Sequence, residues 1–116
     1  MAVDAAERRL FVSFRDPARL MVYGTEAGKL ETRRDTCSDA DDIFVDARRQ
    51  RVYVSCGEGR IDVFTRAGSG YEHIAGIPTI KGARTSLFVP ATDRLYLAVR
   101  ATGTEPAAIW VFRPSP

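Results

Sequence analysis

The sequence is poor in the side chains from which many catalytic and metal sites are built. Its 116 residues include one histidine, two cysteines and one tryptophan. With His73 as the only histidine, neither a His-based zinc site nor a Ser-His triad can be built well from this chain. The two cysteines are too few for a disulfide framework and form no Cys-x-x-Cys redox pair. We therefore expect His73 to be a surface residue and predict no catalytic residue.

The sequence also lacks long apolar runs and blocks of like charge. No apolar run approaches the ~18 residues of a membrane-spanning helix, and Met1–Asp4 has neither the basic region nor the apolar core of a signal peptide. The 17 basic and 15 acidic side chains give a net charge of +2, without five like charges in a row. This pattern gives no footprint for nucleic acid or an acidic membrane. Localisation stays unknown, and a longer parent protein in the periplasm or outside the cell remains open.

What the sequence does contain is a repeat of three anchors in constant order. The central anchor, Arg-apolar-aromatic-apolar-small, begins at Arg9, Arg51 and Arg94, which are 42 and 43 residues apart (51 − 9 and 94 − 51). A second anchor follows each copy, at Leu20–Tyr23, Ile61–Phe64 and Ile109–Phe112. A third precedes each copy, at Val3–Ala5, Phe44–Ala47 and Phe88–Ala91.

The period and composition of the repeat predict its fold. A period of about 40–45 residues with four strands per unit is typical of β-propeller blades, including the WD40 type. The segments are short, β-branched and aromatic, and Gly, Pro and Asp bound them, which favours strands over helices. Val52–Val54 is apolar throughout, as in strands buried on both faces. We predict an all-β fold, a β-propeller segment of about two and a half four-stranded antiparallel blades.

The repeat divides this single domain into three blades. Blade 1 covers about residues 1–36, with its inner strand cut to Met1–Val3. Blade 2 covers about 37–80 and is complete, and blade 3 covers about 81–116 and lacks its outer strand. Closed propellers typically have four to eight blades, so we expect the last blades of a longer ring, partnered by further blades or by self-association. The other predicted strands are Leu10–Phe14, Leu20–Tyr23, Lys29–Arg33, Ile43–Asp46, Val52–Ser55, Arg60–Phe64, Tyr71–Ile77, Ser86–Val89, Leu95–Val99 and Ile109–Phe112.

The repeat resembles that of a known bacterial family. Leu10–Ser13, Leu20–Tyr23 and the turn Thr25–Leu30 are similar to the repeat of the YVTN and seven-bladed lactonase-like propellers. Gly24 departs from the pattern, since the family usually has Asp there. The resemblance covers nearly the whole chain and implies the propeller fold. It leaves function open, because the family hosts many roles.

In a propeller, the loops before the inner strands and between the second and third strands share the channel face, where ligands usually bind. The long loop from Arg100 to Ala108 is expected on this face. Cys37 and Cys56 fall near it, and the sequence leaves open whether they are reduced or form a disulfide in an exported parent. The candidate ligand-binding residues are Asp39, Asp41, Asp42, Glu58, Arg84 and Arg15.

Each candidate has a structural alternative. Three aspartates within four residues suit a hard cation, but the Asp-x-Asp-Asp spacing lacks the Gly and distal Glu of a calcium loop, and we predict no metal site. The same carboxylates could accept backbone N–H bonds. Arg84, aligned with Ala40, could bind a carboxylate or phosphate or pair with an Asp of the neighbouring blade. Glu58 is either a ligand or general base, or the top of a tight turn between two glycines.

The function we expect is a non-catalytic scaffold that binds a small ligand or a protein on the channel face, without a cofactor. The alternative is part of a metal-dependent lactonase- or esterase-like propeller hydrolase, in which Asp39, Asp41, Asp42 and Glu58 would contribute to an ion site. A third hypothesis is a propeller subunit associated with electron transfer or a dehydrogenase. The resemblance favours the scaffold, although fold alone does not fix function.

Overall fold

A computed structural model describes all 116 residues and contains β-strands but no helix, and so none able to cross a bilayer. The strands form three antiparallel sheets, ordered β1-β2-β3-β4, β5-β6-β7-β8 and β11-β10-β9. The predicted all-β class is confirmed, and every predicted strand overlaps an observed one. The strands are β1 (Ala2–Asp4), β2 (Arg9–Arg15), β3 (Ala18–Gly24), β4 (Leu30–Asp35), β5 (Ala40–Asp46), β6 (Arg51–Cys56), β7 (Arg60–Ala67), β8 (Gly70–Pro78), β9 (Ser86–Val89), β10 (Arg94–Val99) and β11 (Ala108–Phe112).

The same hairpin turn precedes the central anchor in all three sheets. Arg8, Gln50 and Asp93 have φ of 54°, 53° and 54°, and each N–H bonds to the carbonyl three residues earlier, at 3.3, 3.4 and 3.2 Å. These are the features of a turn that ends in a left-handed residue, a common way to join two antiparallel strands. The repeat in sequence is therefore also a repeat in backbone conformation.

The middle sheet packs on both neighbours because its strands alternate apolar side chains between two faces. Val52 and Val54 belong to a core shared with the first sheet, whereas Tyr53 belongs to a core shared with the third. Phe11 and Leu97, one from each outer sheet, are fully buried against it. Burial on both faces was predicted from the continuous apolar run, and it is confirmed for this strand.

Strand register corrects the predicted alignment of the third unit. Val45 pairs with Val52 and Phe88 pairs with Leu95, so Phe88 corresponds to Val45 and not to Phe44 (88 − 45 = 43). The same offset makes Arg84 the counterpart of Asp41, and the predicted match of Arg84 to Ala40 is wrong. Its neighbour Ala83 matches Ala40, and both alanines are buried. The length of the turn between β9 and β10 fixes this register. The apolar pattern does not, because Phe88 and Val89 are adjacent and both apolar.

An arginine joins the second and third sheets at the end where the β5–β6 hairpin turns. Arg49 donates to Asp46 at 2.9 Å and to both carboxylate oxygens of Asp93 at 2.7 Å. These bonds raise the pKa of Arg49 and lower that of Asp93. Tyr53 donates to Asp46 at 2.6 Å, and burial, followed by this bond, raises the pKa of Tyr53. Bidentate guanidinium–carboxylate pairing fixes orientation as well as distance.

Candidate ligand-binding rim

The six candidate residues lie together at the other end of the sheets. Arg15 ends β2, the aspartates precede or begin β5, Glu58 lies in the β6–β7 turn, and Arg84 precedes β9. Ion pairs of Arg15 and Arg84 with aspartates span all three sheets. Backbone N–H groups hold the other two carboxylates, those of Asp42 and Glu58. We call this set, Arg15, Asp39, Asp41, Asp42, Glu58 and Arg84, the Asp39 rim.

Arg15 connects the first sheet to the second. Its Nη2 donates to Asp41 at 2.7 Å and its Nε donates to the carbonyl of Ala40 at 3.0 Å. Asp39 lies 3.8 Å from the same guanidinium. The Arg15 side chain keeps 56% of its surface exposed, so this connection is screened by water and adds little stability. Its clearest effect is to orient the start of β5.

Arg84 and Asp42 connect the second sheet to the third. Arg84 donates to Asp39 at 2.9 Å, and the backbone N–H of Ser86 donates to Asp42 at 2.7 Å. Ser55 and Ser86 add a hydroxyl–hydroxyl hydrogen bond of 2.8 Å. Both structural alternatives weighed for these residues therefore occur, namely pairing of Arg84 with a neighbouring sheet and use of a carboxylate by a backbone N–H.

The loops carrying Asp39 and Glu58 hold each other by short contacts. Glu58 accepts the Ser38 N–H at 2.9 Å, and the Gly57 N–H donates to the Asp39 carbonyl at 2.8 Å. Asp39 has φ of 58°, a left-handed conformation that Asp tolerates better than most residues. A Cβ on Gly57 would collide with the Asp39 carboxylate. An alanine at position 57 would therefore force the Asp39 side chain to move from its present position between the two loops.

A disulfide between Cys37 and Cys56 lies directly beneath these loops. Both cysteines are almost completely buried, and their Cα atoms are 5.8 Å apart. Of the two states left open by the sequence, the structure has the bonded one. Cys37 immediately precedes Ser38, and Cys56 immediately precedes Gly57. The disulfide therefore anchors the base of both loops of the rim.

The rim carboxylates are held by arginines and backbone N–H groups and do not converge on one point. No three His, Cys, Asp or Glu side chains lie close enough together to hold a metal ion. Divalent cations such as Ca²⁺ need several oxygens at one centre. This geometry offers the metal-dependent hydrolase alternative no support.

An open cleft lies beside the rim on the third sheet. It has a volume of about 590 Å³, and Thr85, Val99 and Arg100 are among its lining residues. Arg100 lies over Gly82, where an added Cβ would be 3.0 to 3.1 Å from the guanidinium. Like Arg15 and Arg84, Arg100 is exposed, but unlike them it has no ion-pair partner.

A polar cluster around Asp62, which the sequence analysis missed, lies near the outer strand of the middle sheet. The fully buried Asp62 side chain lies 3.0 Å from His73 Nε2 and 2.8 Å from Arg60 Nε. It also accepts the Thr36 hydroxyl at 3.0 Å and the Cys37 N–H at 2.8 Å. Burial raises the pKa of Asp62, but bonds from His73, Arg60 and Thr36 outweigh it and leave this pKa below its ordinary value.

The signal that could have revealed the cluster is a charge within an apolar strand. Asp62 stands between Ile61 and Val63, where the other copies have Met21 and Trp110. A buried carboxylate needs partners, and here they come from three different segments. His73 is about half exposed, as expected for a surface histidine, but its ring is oriented by Asp62.

Neither a scan against protein-family models nor a search of curated proteins found a match for this chain.

Proposed function

We propose that the three sheets are consecutive blades of a β-propeller and that the Asp39 rim is part of its ligand-binding face. The proposal is supported by the period of 42 and 43 residues, by the four-stranded meanders of the first two sheets, and by their face-to-face packing. The resemblance to the YVTN and lactonase-like repeat agrees with it. Blades 1, 2 and 3 would then be the first, second and third sheets.

The observation that carries the binding role is the unpaired Arg100 in the cleft beside the rim. A guanidinium without an acidic partner can bind a carboxylate or phosphate through two parallel hydrogen bonds. The cleft, with a volume of about 590 Å³, has room for a small molecule but is open to solvent. We therefore assign it to a small ligand that carries an anionic group, or to an acidic side chain of a protein partner.

A binding role fits the rim better than catalysis does. A general base needs a carboxylate or imidazole free to take a proton from the substrate, whereas Asp39 accepts from Arg84 and Asp42 accepts from the Ser86 N–H. Glu58 is likewise held by the Ser38 N–H. These groups hold the loops in position around the cleft, and the scaffold remains non-catalytic.

Calorimetric titration with citrate and inorganic phosphate tests the assignment. Arg100→Ala should weaken binding at least about tenfold, the loss expected from one charge-assisted contact, and Arg100→Lys should restore part of it. Arg33→Ala removes another exposed arginine, far from the cleft on β4, and should leave binding unchanged. Failure of both anions to bind the unmodified protein, or equal binding by Arg100→Ala, would contradict the proposal.

A further inference from the structure

The chain makes the same sheet-to-sheet interface twice. Each sheet has one face that points toward the next sheet in sequence, which we call its following face. On the first sheet this face carries the cross-strand row Ala2, Phe11 and Val22, and on the second it carries the row Phe44, Tyr53 and Val63. In both rows an aromatic ring lies at the centre and a valine lies on the third strand.

The opposite face of each sheet, its preceding face, has a different and equally regular pattern. On the second sheet it carries the row Val45, Val52 and Phe64. On the third it carries Phe88, Leu95 and Phe112. Here an aliphatic residue is central and an aromatic residue lies on the third strand. Following face meets preceding face between sheets one and two, and again between sheets two and three.

Both patterns occur once more on surfaces that nothing in the chain covers. The following face of the third sheet carries the row Leu87, Tyr96 and Val111, with Leu87 and Val111 exposed by 55% and 56%. Ile109, the counterpart of buried Ile61, is 62% exposed on the same face.

The preceding face of the first sheet repeats the other pattern. It carries the row Val3, Leu10 and Tyr23, with Val3 exposed by 59%. The two free surfaces thus have the same patterns as the two sides of the interface that the chain already makes. Contiguous exposed apolar surface of this kind marks an interaction site.

We infer that a second copy of this chain binds here, with the third sheet of each copy packed on the first sheet of the other. The contact is head to tail because the two faces differ, and two copies cover all four free faces. Contacts of this type form rings when the rotation closes. Two copies would then form a closed ring of six sheets, a number within the four to eight blades of known propellers. This closure rests on the propeller arrangement proposed above. The head-to-tail contact itself rests only on the repeated faces.

Two substitutions, one on each free face, separate this assembly from other dimers. Val111→Lys places a charge on the following face of the third sheet, and Val3→Lys places one on the preceding face of the first. Ile74→Lys is the control, since Ile74 is 49% exposed on β8 of the second sheet and lies on neither of the two free faces. It lines the gap between the second and third sheets of one chain. Circular dichroism verifies that each variant keeps its β-structure, and sedimentation equilibrium gives the mass over a wide range of concentrations.

The unmodified chain and the control should have twice the 12.8 kDa of one chain, and each face variant should be monomeric. Mixing Val3→Lys with Val111→Lys should restore a 1:1 complex, because each partner keeps the face that the other has lost. Isotope labelling of one variant identifies that complex by native mass spectrometry.

Three results would overturn the inference. A monomeric unmodified chain would mean that another occupant, such as further sheets of a longer chain, covers these faces. Loss of the dimer with only one of the two face variants would indicate contact between identical faces. Folded face variants that fail to combine when mixed would likewise exclude the head-to-tail contact. Ile109 lines the Arg100 cleft and also lies on the following face, so the two proposals are told apart by their measurements. Sedimentation reports the assembly of the chains, and calorimetry of Arg100→Ala reports anion binding.

Discussion

Removing the disulfide between Cys37 and Cys56 should destabilise the folded chain by about 3 kcal/mol. The cysteines are 19 residues apart, and closing a loop of this size lowers the entropy of the unfolded chain by about 11 cal/mol/K, or about 3 kcal/mol at 25 °C. Domains of this size are typically stable by only ~5–15 kcal/mol. A single covalent bond thus supplies a substantial fraction of the total.

The corresponding change in melting temperature follows from the length of the chain. With an unfolding entropy of about 2.1 cal/mol/K per residue, a loss of about 3 kcal/mol lowers the Tm of a 116-residue chain by about 12 °C. Urea unfolding of the oxidised protein, the reduced protein and Cys37→Ala/Cys56→Ala, at one protein concentration, gives the free energies directly. The reductant should not change the urea midpoint of the double variant. This variant therefore controls for effects of the reductant that do not involve the disulfide.

The disulfide should also matter locally, because it anchors both loops of the Asp39 rim. Hydrogen exchange of the Gly57 N–H, which is bonded to the Asp39 carbonyl, should quicken more on reduction than exchange within β10. An unchanged urea midpoint after complete reduction would refute the entropic argument. Equal exchange in both redox states would show that the rim loops hold themselves without the disulfide.

The pKa of Asp62 is lower in the folded chain than its unfolded value near 3.8, so Asp62 stabilises the fold above that pH, and this stability is lost as pH falls through the folded pKa. Asp62→Asn should therefore lose less stability than the unmodified chain between neutral pH and about pH 3, as measured by urea titration. An equal loss in both proteins would contradict this. Gly57→Ala should lower the free energy of unfolding by about 1–3 kcal/mol, because the new Cβ contacts Asp39. Gly103→Ala is the control, since a Cβ there lies in open space and should change the urea midpoint little. Similar losses in the two variants would be inconsistent with the Asp39 contact. Ca²⁺, Mg²⁺, Mn²⁺ or Zn²⁺ should leave the Tm unchanged, because partners such as Arg84 already hold the rim carboxylates. A Tm that rises with metal would instead favour the hydrolase alternative.

The strands could be predicted because each has a short apolar run bounded by turn residues. Register was harder to predict, since Phe88 and Val89 are both apolar and either can face the core. The structure places Phe88 inside, and the alignment of Arg84 shifts with it. Because side chains alternate between the two faces of a strand, an alignment error of one residue moves every side chain to the opposite face. The sequence composition gives no sign of such an error.

Contacts between distant segments explain what the sequence could not supply for the rim. Which arginine meets which carboxylate depends on how closely the sheets approach, as in the 2.9 Å contact of Arg84 with Asp39. The disulfide likewise depends on two loops meeting beneath the rim. His73 and Asp62 are brought together by the β7–β8 pairing, which has an irregularity between Val63 and Phe64. Local pattern contains none of this information.

The left-handed residues at Arg8, Gln50 and Asp93 should make each hairpin depend on the sheets that pack around it. A non-glycine residue in that conformation costs roughly 1–2 kcal/mol, although Asp93 should cost less because Asp tolerates it better than most residues. The turns at Arg8 and Gln50 should therefore form weakly on their own. An excised peptide spanning β5 and β6 should be unstructured in water. The packing of neighbouring sheets would then supply the free energy that holds these turns in shape, so a substitution that loosens a sheet-to-sheet contact should also loosen the turn beside it.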